Sequence, residues 1–234
     1  MAGARRELSL LLGAICAYPL LTALLVGLAV LIVGFGLLVG GVQMFGFYAV
    51  LVVAISLAVL RWRWGRVGPE SRAERRRAAL VTAVLTGLGV FALIQLVPYG
   101  RAHANPPVTG EPQWASPETR QLMVDACYQC HSNLVEYPWY SDVAPMSWTV
   151  QHHIEEGRGA VNYSEFATDP GEAHESIEEI EHGSMPPAYF TRLGLNAAAD
   201  LTDAEIATLV AGLRATPGFE ERDGYGEDGE RDDD

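Results

Sequence analysis

Lysine is absent from this 234-residue chain, and all 16 of its basic residues are arginine, a bias that reflects genomic base composition. Cysteine is scarce: only Cys16, Cys127 and Cys130 occur. Three thiols alone cannot complete a tetrahedral zinc site, and a Cys127–Cys130 disulfide would close a strained ring that staples little. Histidine is missing from residues 1–102, which leaves no imidazole there for an intramembrane cofactor. Acids are just as unevenly spread. Residues 1–100 carry Glu7, Glu70 and Glu74 against nine arginines, whereas residues 101–234 hold the other 26 acids against seven arginines, a local charge of −19 inside an overall −13. Such an acidic half excludes nucleic acid as a partner and suits a basic protein or a high-salt habitat.

What the first half has instead is apolar length. From Leu8 to Leu60 the most polar interruption is Gln43, and a bilayer-spanning helix needs only about 20 apolar residues. The run therefore predicts two spans, about 8–39 and 43–60, broken near Gly40-Gly41-Val42-Gln43, with Pro19 placed to kink the first. A third is predicted over about 78–97, where Thr82, Thr86 and Gln95 are tolerable polar groups. No acid interrupts these runs, so they offer no proton or ion path. The arginines set the orientation. Arg5 and Arg6 precede the first span, and Arg61, Arg63, Arg66, Arg72, Arg75, Arg76 and Arg77 crowd the loop before the third. Both clusters belong in the cytoplasm, so the third span carries the acidic half outside. The apolar run is too long for a cleaved signal peptide, and Cys16 reads as helix packing.

The chemistry is concentrated in Cys127-Tyr128-Gln129-Cys130-His131. Two thiols followed at once by an imidazole are what covalent attachment and axial ligation of a c-type haem require. The thiols form thioethers to the haem vinyl groups, and His131 supplies the proximal iron ligand. A thioredoxin-like dithiol uses the same CxxC, but it expects a strand before the motif and a helix starting at the first cysteine. Here a helix is predicted to end there: Ser116 is placed as N-cap and Pro117 at the first helical position. A second helix is predicted from Thr202, whose capping box with Glu205 and staple of Leu201 on Ile206 precede an apolar face of Ile206, Leu209, Val210 and Leu213. That face should pack on the helix before Cys127 or on the haem edge.

Candidates for the sixth iron ligand are Met123, Met146, Met185, His152, His153, His174 and His182. Met185 is preferred because Gly183-Ser184-Met185-Pro186-Pro187 is a proline-stiffened loop, and a thioether ligand raises the reduction potential relative to a second imidazole. Trp139 and Trp148, within an aromatic cluster with Tyr137 and Tyr140, are candidate haem walls. Arg158 is a candidate partner for a haem propionate.

Residues 127–166, CYQCHSNLVEYPWYSDVAPMSWTVQHHIEEGRGAVNYSEF, together with the later MPP, resemble the haem-binding domain family of single-CxxCH proteins related to cytochromes c. The likeness spans about residues 115–215 and rests on CHSN, PWY, AP-x-SW, EGR, N-x-SE and MPP taken together. It implies covalent haem on Cys127 and Cys130 with His131 as iron ligand. Members of that family commonly carry one amino-terminal membrane segment, so three spans depart from the pattern.

The sequence therefore predicts an all-α protein: a membrane domain over 1–100, a linker over 101–114, a small cytochrome c-like haem domain over 115–216 and a disordered acidic tail over 217–234. Its expected role is that of a cell-membrane monohaem c-type cytochrome with one covalent haem c. It would carry single electrons outside the cytoplasm to a redox partner protein, as an electron carrier rather than a catalyst. The rival readings are a haem sensor or ligand-binding module with an open sixth site, and a thiol-disulfide oxidoreductase using Cys127 and Cys130.

Overall fold

The computed structural model describes residues 19–38, 40–64, 71–191 and 196–220, and every regular element among them is helical. Cys16, residues 8–18 of the first expected span and residues 221–234 of the expected tail lie outside the described residues, and the kink foreseen at Pro19 falls at their edge. The chain divides into two compact units: residues 1–103 with 137–152, and residues 104–136 with 153–234.

The first unit is built on three apolar helices, α1 (Pro19–Leu38), α2 (Val42–Trp64) and α3 (Arg72–Ile94). The turn before α2 uses Gly40 with φ of 72°, a conformation that costs glycine little. Ser71 starts α3 with a capping box: its hydroxyl accepts from the Glu74 N–H at 3.3 Å and its own N–H donates to the Glu74 carboxylate at 2.8 Å. Leu25 and Ala79 are buried together with Val53, Leu57 and Ala83 packed on them, and the Tyr48 hydroxyl donates to the Gly87 carbonyl at 3.0 Å. Much of the remaining surface is apolar and exposed, including Val50, Leu85, Leu88 and Leu93.

Among the described residues two helices, not three, are long and apolar enough to cross a membrane, in the windows Val42–Val59 and Arg72–Ile94. The first expected span is represented by a shorter apolar stretch, Leu25–Leu38.

Residues 137–152 also belong to this unit. They comprise a 3-10 turn, Trp139–Asp142, and the first half of α6 (Met146–Ala160). The Gln95 side chain clamps them: its amide donates to the Ala144 carbonyl at 2.9 Å and its oxygen accepts from the Ala144 N–H at 3.0 Å. Trp148 and Ala144 are buried with Val52, Val90 and Ile94.

In the second unit the helices are short. They are α4 (Pro117–Ala126), the single turn α5 (Tyr128–His131), the end of α6, α7 (Ser176–Glu181), α8 (Ala188–Thr191) and α9 (Asp203–Arg214). Both foreseen caps form. Ser116 accepts from the Thr119 N–H at 3.0 Å with Pro117 behind it, and Thr202 and Glu205 bond reciprocally at 3.3 and 2.8 Å. The face of α9 is buried through Leu209, Val210 and Leu213 against Leu122 and Met123 of α4, with Ile206 and Leu201 partly buried beside them. Gly212 makes the crossing possible, since a Cβ there would collide with the Thr119 side chain.

Two segments that the sequence reads as linker and tail are tied down locally. Residues 105–110 are not a free linker: the N–H groups of Thr109 and Gly110 donate to the Ser164 carbonyl at 2.9 and 3.1 Å, and Asn105 exchanges bonds with the Val135 backbone. Nor does a tail begin at 217, because Phe219 is 1% exposed and stacks on Phe166 at 5.4 Å. A polar-looking segment can be fixed when its backbone has partners, and one aromatic side chain suffices to hold an otherwise acidic end.

Candidate haem site

The motif sits where α4 stops. The Cys127 N–H completes the last turn by donating to the Met123 carbonyl at 2.9 Å, and the Cys127 carbonyl accepts from the N–H groups of Cys130 at 3.1 Å and His131 at 3.0 Å. The tight turn turns both thiols and the imidazole onto a single cavity of about 390 Å3. Gly157 of α6 lies against it so closely that a Cβ would stand 2.7 Å from the Cys130 carbonyl oxygen.

Cys127 and Cys130 are free thiols. Desolvation pushes the Cys127 thiol up to about 12, helped by the neighbouring Cys130, and desolvation pushes Cys130 up to about 11. Such thiols are poor nucleophiles near neutral pH, the opposite of the depressed pKa that dithiol oxidoreductases use. His131 is held below its ordinary value by desolvation, against the opposing pull of the Val161 and Gly157 carbonyls. Its Nδ1–H donates to the Val161 carbonyl at 3.2 Å. That bond fixes the tautomer with the lone pair on Nε2, the form in which an imidazole ligates a metal.

The lining of the same cavity includes Met185, 37% exposed, with Pro186 and Pro187. The Met185 N–H donates to the Glu179 carbonyl at 3.2 Å, and the Ser184 N–H shares that acceptor at 2.9 Å. His153 lines the same cavity, its ring stacked on Tyr189 at 4.9 Å. The remaining candidates are elsewhere. Met123 is wholly buried in the core, Met146 and His152 belong to the first unit, and His174 and His182 pair with Glu175 and Glu178 at 3.8 Å.

Three of the candidate residues are not among those that line this cavity. Trp139 and Trp148 do not wall this cavity: Trp148 is packed among the apolar helices, and Trp139 is 80% exposed. Tyr163, Tyr189 and Phe190 make the wall instead. Arg158 lines a second cavity, where its guanidinium donates to the Ser132 carbonyl at 2.8 Å, the Ala104 carbonyl at 3.3 Å and Asn105 Oδ1 at 3.2 Å. With three of its five donors engaged by protein oxygens, it clamps the chain behind the motif. The lining also holds Glu156, Glu172, Glu175 and Glu179. Their contribution was illegible because they come from three separate segments without a motif.

An all-helical protein with a thiol, thiol and imidazole cluster on one aromatic-walled cavity is a haem-binding protein in class. The chain belongs to the haem-binding domain family, whose model matches residues 89–215. No curated protein and no solved structure matches it. The donor set fits haem: the sulfurs of Cys127 and Cys130 would hold the macrocycle, His131 Nε2 would ligate the iron, and one-electron exchange is the chemistry the group supplies.

Proposed function

We propose that this protein is a membrane-anchored monohaem c-type cytochrome that carries single electrons on the outer face of the cell membrane. The observation that carries the reading is the convergence of Cys127, Cys130, His131 and Met185 on one cavity. Thioether bonds at Cys127 and Cys130 would make the haem permanent, and His131 with Met185 would complete its axial pair. Two helices of spanning length and the arginines before α3 support the anchoring and orientation. An acidic second half and four glutamates at the cavity suit a basic redox partner.

Haem staining of a denaturing gel, paired with visible spectra of wild type and Met185→Ala, tests the reading. Haem that stays with the polypeptide and a sulfur-to-iron charge-transfer band lost in the variant are expected. His153 gives the main competing outcome, because it shares the cavity. A spectrum unchanged in Met185→Ala but altered in His153→Ala would make the pair bis-imidazole and lower the potential. A spectrum indifferent to both would favour an open sixth site and a ligand-binding role. Haem that leaves the chain on denaturation would remove the covalent c-type assignment.

A further inference from the structure

Trp139 is the most exposed large aromatic side chain among those described, at 80%, and it stands on a rigid support. Pro138 precedes its 3-10 turn, and the buried Ser141 hydroxyl closes the turn by donating to the Pro138 carbonyl. His103 braces it from the side, its ring stacked on Tyr137 at 4.3 Å and its Nε2 3.0 Å from Ser141 Oγ. Tyr140 meets the indole edge-on at 5.9 Å. Nothing about this exposure comes from a loose loop.

The support is fastened to one end of the apolar helices. Gln95, which clamps Ala144, is the C-cap of α3. Val90 and Ile94, which pack on Trp148, lie in the last turns of that helix. Gly41, immediately before α2, has no room for a Cβ because Thr149 fills the space. Just past the end of α3, Leu96 and Val97 are 78% and 44% exposed, so the apolar surface continues toward this support. Trp139 is only five residues from the Gln95 clamp.

A rigid, solvent-directed indole beside the exit of apolar helices has a physical explanation in the bilayer. Tryptophan is favoured at the hydrocarbon–headgroup boundary, where its large ring leaves water and its N–H keeps polar partners. We infer that Trp139 is an interfacial anchor that inserts into the headgroup layer on the outer side of the membrane, holding the 137–152 segment at the lipid surface. This rests on the membrane reading above. The partner is lipid rather than protein because the indole shares a unit with the helices that would be lipid-embedded, and the apolar surface runs on from them.

The test uses the haem-loaded full chain in vesicles of phosphatidylcholine and phosphatidylglycerol, doped with a phosphatidylcholine whose photoactivatable diazirine sits near the glycerol end of its acyl chain. After illumination, adducts are mapped by peptide mass spectrometry. Labelling of Trp139 at least equal to that of Leu96 is expected, with the adduct kept in Trp139→Tyr and lost in Trp139→Ser. Labelling of Leu93 and Leu96 without Trp139 would overturn the anchor while leaving the membrane reading intact. An unlabelled α2 and α3 would overturn the membrane reading and the anchor with it. Because Trp139 is exposed, its replacement leaves packing unchanged, and helical circular dichroism verifies that.

Discussion

His131 is held twice by one short stretch of chain: its Nδ1–H donates to the Val161 carbonyl at 3.2 Å, and its own carbonyl accepts from the Tyr163 N–H at 2.8 Å. Between these two residues lies Asn162, whose amide donates to Asn133 Oδ1 at 2.9 Å and whose oxygen accepts from the Ser164 N–H at 3.1 Å. Asn133 is 1% exposed and donates in turn to Glu165 and to the Pro107 carbonyl. The grip on the imidazole is thus anchored in a buried polar network.

Replacing Asn162 with Ala should loosen that grip. A hydrogen bond to the far nitrogen raises ligand basicity and favours oxidised iron, so the variant should show a higher reduction potential and faster exchange of the His131 ring N–H in haem-free protein. Loss of the Asn133 bond should also cost about 1 kcal/mol of stability. Potentiometric titration and thermal unfolding measure the two effects; an unchanged potential would mean the network supports the fold alone.

Thiol chemistry offers a second check on haem-free protein. With Cys127 near 12 and Cys130 near 11, alkylation at pH 8 should be slower than for the denatured chain by about two orders of magnitude, since a free cysteine has a pKa of about 8.5. The native rate should climb with pH as far as about 11. Rapid alkylation at pH 7 would contradict the desolvated site and revive a dithiol role.

Gly157 and Gly159 face opposite fates on substitution by Ala. A Cβ at Gly157 meets the Cys130 backbone at 2.7 Å, whereas at Gly159 there is nothing within 4 Å. Gly157→Ala should destabilise by roughly 1–3 kcal/mol and reduce the yield of covalent haem. Gly159→Ala should gain up to about 1 kcal/mol from helix propensity. Calorimetry and haem staining of both variants separate overpacking from any general effect of altering α6.

Glu111 accepts from Arg120 at 2.7 and 2.8 Å, and this hydrogen bond, with the attraction of the guanidinium, holds its pKa below the ordinary carboxylate value. A carboxylate whose folded pKa is lowered contributes stability above its unfolded value, and loses that contribution as pH falls through the folded one. Stability of the wild type should therefore exceed that of Glu111→Gln at pH 7, by about 1 kcal/mol or less given partial exposure. The two should converge in strong acid. Denaturant melts across pH 2 to 7 provide the comparison.

Phe219 belongs to the core despite its acidic surroundings. Phe219→Ala should cost about 3–5 kcal/mol, which urea unfolding would detect; a loss below 1 kcal/mol would return this end to the status of a tail.

Much of this architecture was legible because local signals and global packing agree. The Ser116 and Thr202 caps, the α9 face and the Cys-Cys-His turn each depend on residues a few positions apart. What sequence could not show depends on distant partners. Trp148 reads equally well as a haem wall or as core, and only the three-dimensional neighbours Val52, Val90 and Ile94 decide it. Arg158 reads as a free cation, yet carbonyls from residues 26 and 54 positions away claim it. Phe219 is one aromatic in an acidic stretch, where composition outweighs a single burial.

Residues 137–152 leave the haem-bearing unit, pack with α2 and α3, and return as α6 continues. A soluble fragment beginning at residue 104 would strip Ala144 and Trp148 of their apolar neighbours and should aggregate through them. The same interleaving restrains gene rearrangement: a recombination joint placed between the halves would separate Gln95 from Ala144, so the apolar helices and the haem motif must be inherited as one block.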